Sequence, residues 1–103
     1  MAAYAIVDVD IFDIADYLQY QQALRPLLEA AGARYLARGG ETEVLAGDHA
    51  PQSLLLVEFP SMEVLVDFYR SEAYLALEKQ RKSCSSAAMF AVRGVEDALL
   101  PQD

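Results

Sequence analysis

The sequence predicts an α+β fold in the order βαββαβ, a ferredoxin-like sandwich whose four-stranded antiparallel sheet carries its helices on one face. Three observations carry this reading. Four short segments have the period-2 alternation or continuous apolar character of strands. Longer stretches with apolar residues at helical spacing separate the first strand from the second and the third from the fourth. One phase of each strand gives a face without a charge, composed of Val7, Val9, Tyr35, Ala37, Leu55, Val57, Phe59, Phe90 and Val92, on which helices can pack.

Taken in order, Tyr4 to Ile11 alternates Ala5, Val7, Val9 and Ile11 against Tyr4, Ile6, Asp8 and Asp10. Asp13 then offers an N-cap, and Ile14, Tyr17, Leu18, Leu24, Leu27, Leu28 and Ala31 recur with helical spacing up to Gly32, a good residue to end a helix. Pro26 removes a donor and crowds the carbonyl four residues back, which predicts a kink or break near Leu24–Arg25. Ala33 to Arg38 forms the second strand, with Arg34, Leu36 and Arg38 opposite Tyr35 and Ala37, and Gly39-Gly40 turns the chain. A short extended piece is expected at Glu43 to Ala46, before the loop Gly47 to Pro51.

Leu54 to Phe59 is apolar apart from Glu58 and is closed by Pro60, the pattern of a central strand. Ser61 can cap a helix with Met62, Leu65, Val66, Phe68 and Tyr69 on its buried side, and Ser71 can restart a second segment carrying Tyr74, Leu75 and Leu77. After a polar break at Ser83 to Ser86, Ala87 to Arg93 alternates as the last strand. Right-handed crossovers put the first and third strands in the centre of the sheet. Residues 1–94 make one domain, and residues 95–103 form a C-terminal tail in which Pro101 discourages further structure.

The chain has 103 residues, 54% of them hydrophobic, which excludes disorder and suits a single core. No stretch approaches the ~20 apolar residues of a membrane span, and the start of the chain lacks the pattern of a signal peptide, so a soluble cytoplasmic protein is expected. The formal charge of −8 repels phosphate backbones and anionic membrane surfaces, which argues against nucleic acid or membrane as a partner. The single cysteine, Cys84, forms no internal disulfide, and no Cys/His spacing suggests a metal site. No tightly bound cofactor is expected.

The sheet face away from the helices collects Ile6, Leu36, Leu54, Leu56, Met89 and Ala91 together with Asp8, Arg34, Arg38, Glu58 and Arg93. Apolar patches of this kind mark interfaces, and a second copy related by a two-fold axis would cover this one, so a homodimer is expected.

Three segments, Arg34-Tyr35-Leu36-Ala37-Arg38-Gly39-Gly40, Phe59-Pro60-Ser61-Met62-Glu63 and Phe68-Tyr69-Arg70-Ser71-Glu72-Ala73-Tyr74, resemble the recurring motifs of the bacterial family known as domain of unknown function 1330. The likeness runs from about Tyr4 to Gly94, and Phe68 stands where such proteins often carry Trp. The resemblance implies a ferredoxin-like protomer and a sheet-to-sheet dimer of the dimeric α/β-barrel superfamily. That superfamily includes cofactor-independent monooxygenases, haem-degrading enzymes and lactone isomerases, but a shared fold transfers none of their chemistry.

Asp8, Glu58 and Arg38 are predicted together on the inner sheet face, where two carboxylates and a guanidinium could hold a polar small molecule, act as acid and base, or pair across a dimer. Arg38, beside Gly39-Gly40, is the expected anion-holding group of any such cleft. His49, the one histidine, sits in a polar loop and is either a base or ligand, or simply solvated. Tyr69 and Tyr74, with Tyr17 and Tyr20, could donate hydroxyl hydrogen bonds into a cleft or serve as core aromatics. Cys84 reads as a packing residue, and Ser83, Ser85 and Ser86 lack the setting of a nucleophile. Two functions remain open: an enzyme without a tightly bound cofactor acting on a small polar or aromatic metabolite, or a non-catalytic small-molecule-binding or assembly module.

Overall fold

The structure is a computed structural model and describes residues 1–95; the expectation of an unstructured tail around Pro101 lies outside the described residues. Its elements are β1 (Ala3–Ile11), α1 (Ile14–Ala30), β2 (Arg34–Arg38), β3 (Leu54–Phe59), α2 (Met62–Arg70), α3 (Glu72–Cys84) and β4 (Ser85–Arg93). The sheet is antiparallel in the order β2-β3-β1-β4, with β1 and β3 central as the crossover rule requires. Ala3, Ala5, Val7 and Val9 of β1 and Leu55, Val57 and Phe59 of β3 are buried under Tyr17, Tyr20, Leu24 and Leu28 of α1, Leu65 and Phe68 of α2, and Tyr74 and Cys84 of α3.

The helices start where side chains can satisfy their free N–H groups. Asp13 Oδ1 accepts from Asp16 N at 3.2 Å, Ser61 Oγ from Val64 N at 3.1 Å, and Ser71 Oγ from Tyr74 N at 3.2 Å. Ser71 thus divides the second helical stretch into α2 and α3, as its sequence indicates. Gly32 ends α1 with φ +75°, and a Cβ there would come within 3.1 Å of the Pro60 ring.

Four expectations are corrected. Helix α1 runs without a break from Ile14 to Ala30 despite Pro26, so the expectation is corrected as to a break. Tyr17, Tyr20 and Leu24 before the proline and Leu28 after it are buried in the same core, and the carbonyl that loses a donor belongs to exposed Gln22, where water can replace it. Glu43 to Ala46 joins no strand and lies in an exposed loop. There is no loop between α3 and β4, and Phe12 N donates to Cys84 O at 2.8 Å across the junction.

This junction also sets the phase of β4 opposite to the expected one. Met89 pairs with Val7 and Ala91 with Ala5 on the helix side, whereas Phe90 pairs with Ile6 and Val92 with Tyr4 on the open side. Residues 87–92 are apolar in both phases, so hydrophobic pattern alone could not choose. The open face is more apolar as a result: Phe90 and Val92 are 58% and 48% exposed.

Candidate functional site

The predicted inner-face cluster does not assemble. Glu58 is engaged by Arg34, whose Nε lies 2.7 Å from Oε1. Asp8 accepts from Gln52 N at 3.0 Å and faces His49 Nε2 at 3.2 Å, so this pair ties the 40–53 loop to β1. The two carboxylates stand at opposite ends of the face, since Asp8 pairs with Leu54 while Tyr4 pairs with Glu58. Arg38 is on the other side of the sheet altogether. A bulge between Tyr35 and Ala37 shifts the alternation of β2 by one residue, so Ala37 pairs with Leu56 and Arg38 with Leu55, which faces the helices. There the Arg38 guanidinium lies 5.1 Å from the centre of the Tyr35 ring.

What does converge lies between the helices and the sheet. The Ser71 break turns the chain so that Tyr69, at the end of α2, and Tyr74, in the first turn of α3, meet edge to face with ring centres 4.9 Å apart. Seven residues on from Tyr74, two helical turns along the same stripe, Arg81 follows it into the core. Among the described residues Arg81 is the one charged side chain in the buried set, 7% exposed. Its Nε donates to Tyr74 Oη at 3.3 Å, and Tyr74 Oη lies 3.1 Å from Tyr20 Oη. The terminal nitrogens make no hydrogen bond among the described residues; the nearest carboxylate oxygen, Glu78 Oε2, is 3.8 Å away. No fully enclosed side-chain nitrogen or oxygen lacks a partner, so these donors are open to the adjoining cleft.

That cleft has a volume of about 530 Å³ and is lined by Leu65, Tyr69, Tyr74, Arg81, Met89 and Phe90 among others. Behind it a void of about 20 Å³ is bordered by Tyr17, Tyr20, Tyr69 and Arg81. Burial pushes the Tyr17 hydroxyl up to about 12 and raises Tyr20 and Tyr69 further. These phenols therefore stay protonated at neutral pH, where they can donate hydrogen bonds but not act as bases. The combination of a desolvated guanidinium with free donors, protonated phenols and an apolar wall suits a flat apolar molecule bearing an anionic group.

Tyr69 and Tyr74 were among the residues that the sequence singled out; Arg81 was not. It is embedded in Glu78-Lys79-Gln80-Arg81-Lys82, which reads as a solvated charge run, and the signal that marks it is its spacing from Tyr74 and Cys84 on one helical stripe. Cys84 is a packing residue, buried, with its thiol donating to Gln80 O at 3.1 Å.

A βαββαβ chain with its helices packed on one face of a four-stranded antiparallel sheet has the ferredoxin-like architecture. The chain belongs to the family of domain of unknown function 1330, whose model matches residues 2–95. It is similar to a protein of unknown function from Rhodopseudomonas palustris at 17% identity, covering 92% of this chain and 83% of that one, with a TM-score of 0.75. A dimeric protein of unknown function and ferredoxin-like fold from Bacteroides fragilis superposes with a TM-score of 0.59 at 13% identity, over 90% of this chain and 96% of that one. SnoaB, a cofactor-independent oxygenase from Streptomyces nogalater, does so with a TM-score of 0.63 at 6% identity, over 98% of both chains. At these identities the likeness concerns the fold. No curated protein matches the chain significantly. Among the described residues no helix is long and apolar enough to cross a membrane.

Proposed function

We propose that the protein takes a small aromatic or otherwise flat apolar metabolite carrying an anionic oxygen into the cleft between α2, α3 and the sheet, and acts on it without a tightly bound cofactor. The observation that supports this is Arg81: a largely buried guanidinium with one long hydrogen bond to the Tyr74 hydroxyl, and with Glu78 Oε2 no nearer than 3.8 Å, is costly to the fold unless a ligand uses its remaining donors. Tyr69 and Tyr74 then contact the ligand. In a catalytic reading Arg81 stabilises negative charge developing on the substrate oxygen, in a site dry enough to make that interaction strong. A protein of similar fold, SnoaB, is a cofactor-independent oxygenase, which favours this class of chemistry. One observation favours the alternative, a binding module. Among the described residues one carboxylate lines the cleft, Glu78, and it is paired with Lys82 at 3.2 Å, while burial keeps the Tyr69 phenol protonated, so neither is a free base. A substrate that arrives already ionised reconciles the two readings.

We also assign the open sheet face to a second copy of the chain. Its Ile6, Leu54, Leu56, Phe90 and Val92 form one apolar surface, and the similar protein from Bacteroides fragilis is described as dimeric.

The test is thermal shift with a panel of aromatic carboxylates, phenols and their neutral isosteres, on wild type and Arg81→Met. Stabilisation by the anionic members in wild type alone is the expected result. Equal stabilisation of both proteins, or none of either, would reject the site.

A further inference from the structure

We propose a second anion site on the other side of the helix–sheet layer, where Arg25 and Arg38 hold the carboxylate of an amphipathic organic acid. It goes beyond the Arg81 reading and does not depend on it. The β2 bulge delivers Arg38 to the helix side, and α1 delivers Arg25, so both line a cleft of about 450 Å³. Neither guanidinium forms an ion pair among the described residues. Among the described residues no carboxylate lines this cleft, and Glu29 borders only the adjoining groove that Arg25 and Arg38 also line.

The cleft is two-sided. Val9, Ile14, Leu18 and Leu55 supply an apolar wall, and Ile14 and Leu18 remain 59% and 49% exposed. Ser53 and Gly39 border the opposite rim near Arg38. Gly39 has φ +67°, and a Cβ there would come within 3.2 Å of Ser53 Oγ, so the backbone keeps this rim low and open to a ligand. The Arg38 guanidinium is held near the Tyr35 ring, which limits its freedom before a ligand arrives. A carboxylate bridging two guanidiniums, with an aliphatic hydrocarbon body on the apolar wall, satisfies both halves. The void of about 20 Å³ that lies between the two clefts is too small for such a ligand, so the sites are separate.

The probes are octanoate and neutral 1-octanol, titrated calorimetrically into wild type, Arg38→Gln, Arg25→Gln and Arg81→Met. Octanoate should bind wild type at least tenfold more tightly than either Arg25→Gln or Arg38→Gln, and Arg81→Met should bind it within twofold of wild type. In amide and guanidinium NMR spectra, the perturbations should centre on Gly39 and the Nε–H of Arg25 and Arg38. Octanoate binding that survives both glutamine variants, binding lost in Arg81→Met instead, equal affinity for 1-octanol, or no binding of octanoate to wild type would each overturn the proposal.

Discussion

Arg81 condenses the case at the scale of single residues. Burying a guanidinium with incomplete partners opposes folding, and replacing such a group by an apolar side chain of similar length is often neutral or stabilising. Arg81→Met is therefore expected to unfold at the same temperature as wild type or a few degrees higher, while losing ligand response. A large loss of stability would mean that the arginine serves structure instead. The tyrosines give a pH prediction. Tyr17, Tyr20 and Tyr69 have their hydroxyls raised above the ordinary value of 10.0 by burial, Tyr17 to about 12. Between those limits the folded chain holds protons that the unfolded chain has released, so their contribution to stability is whole below pH 10 and is lost as pH climbs towards 12 and beyond. Ultraviolet titration should show these phenols ionising after exposed tyrosine does, together with a falling midpoint of denaturation; ionisation of all six tyrosines near the ordinary value would contradict it. The Arg34–Glu58 pair, with Arg34 71% exposed, is expected to contribute little to stability.

At the scale of elements, capping and bulging decide which side chains reach the clefts. Ser71 caps α3 and donates to Phe68 O at 2.7 Å, so Ser71→Ala should cost about 1 kcal/mol in chemical denaturation and loosen Tyr74, without changing the oligomer. No change in either stability or ligand response would remove Ser71 from the account. Pro26 lies inside an unbroken α1, and an interior helical proline costs up to about 3 kcal/mol relative to alanine. Pro26→Ala should therefore raise the melting temperature, and a lower one would show that the proline is needed where it stands. The strand order, the three helix caps and the Ser71 break were legible in the sequence because each rests on local chemistry: a side-chain oxygen, a proline, an alternating run. The face of Arg38 was not, because one extra residue at the β2 bulge inverts everything after it and leaves no mark in composition. The phase of β4 was hidden for a different reason, since both of its faces are apolar. The site was half legible: aromatic spacing marks Tyr69 and Tyr74, whereas Arg81 is masked by the charges on either side of it.

For the whole molecule, the sheet has one face sealed by helices and one face uncovered. Placing Phe90 and Val92 on the open side strengthens the case for a second copy there, and the carboxylates expected to form a site on that face are occupied within the protomer by Arg34 and the His49 loop. Leu56→Asp should dissociate the proposed dimer or unfold the chain, because a carboxylate buried without a partner costs several kcal/mol; a wild type that sediments as an 11.4 kDa monomer at micromolar concentration would contradict that proposal. Each chain, on this proposal, holds its own ligand between helices and sheet, at Arg81, and none lies between two sheets. Calorimetric stoichiometry with the tightest-binding aromatic anion of the panel decides this, on wild type and on Arg81→Met sedimented in parallel. Wild type should bind one Arg81-dependent ligand per chain, and Arg81→Met should keep the oligomeric state of wild type but no longer bind it. One ligand per two chains, retained in Arg81→Met, would instead place the site on a two-fold axis between the sheets and rule out the Arg81 cleft.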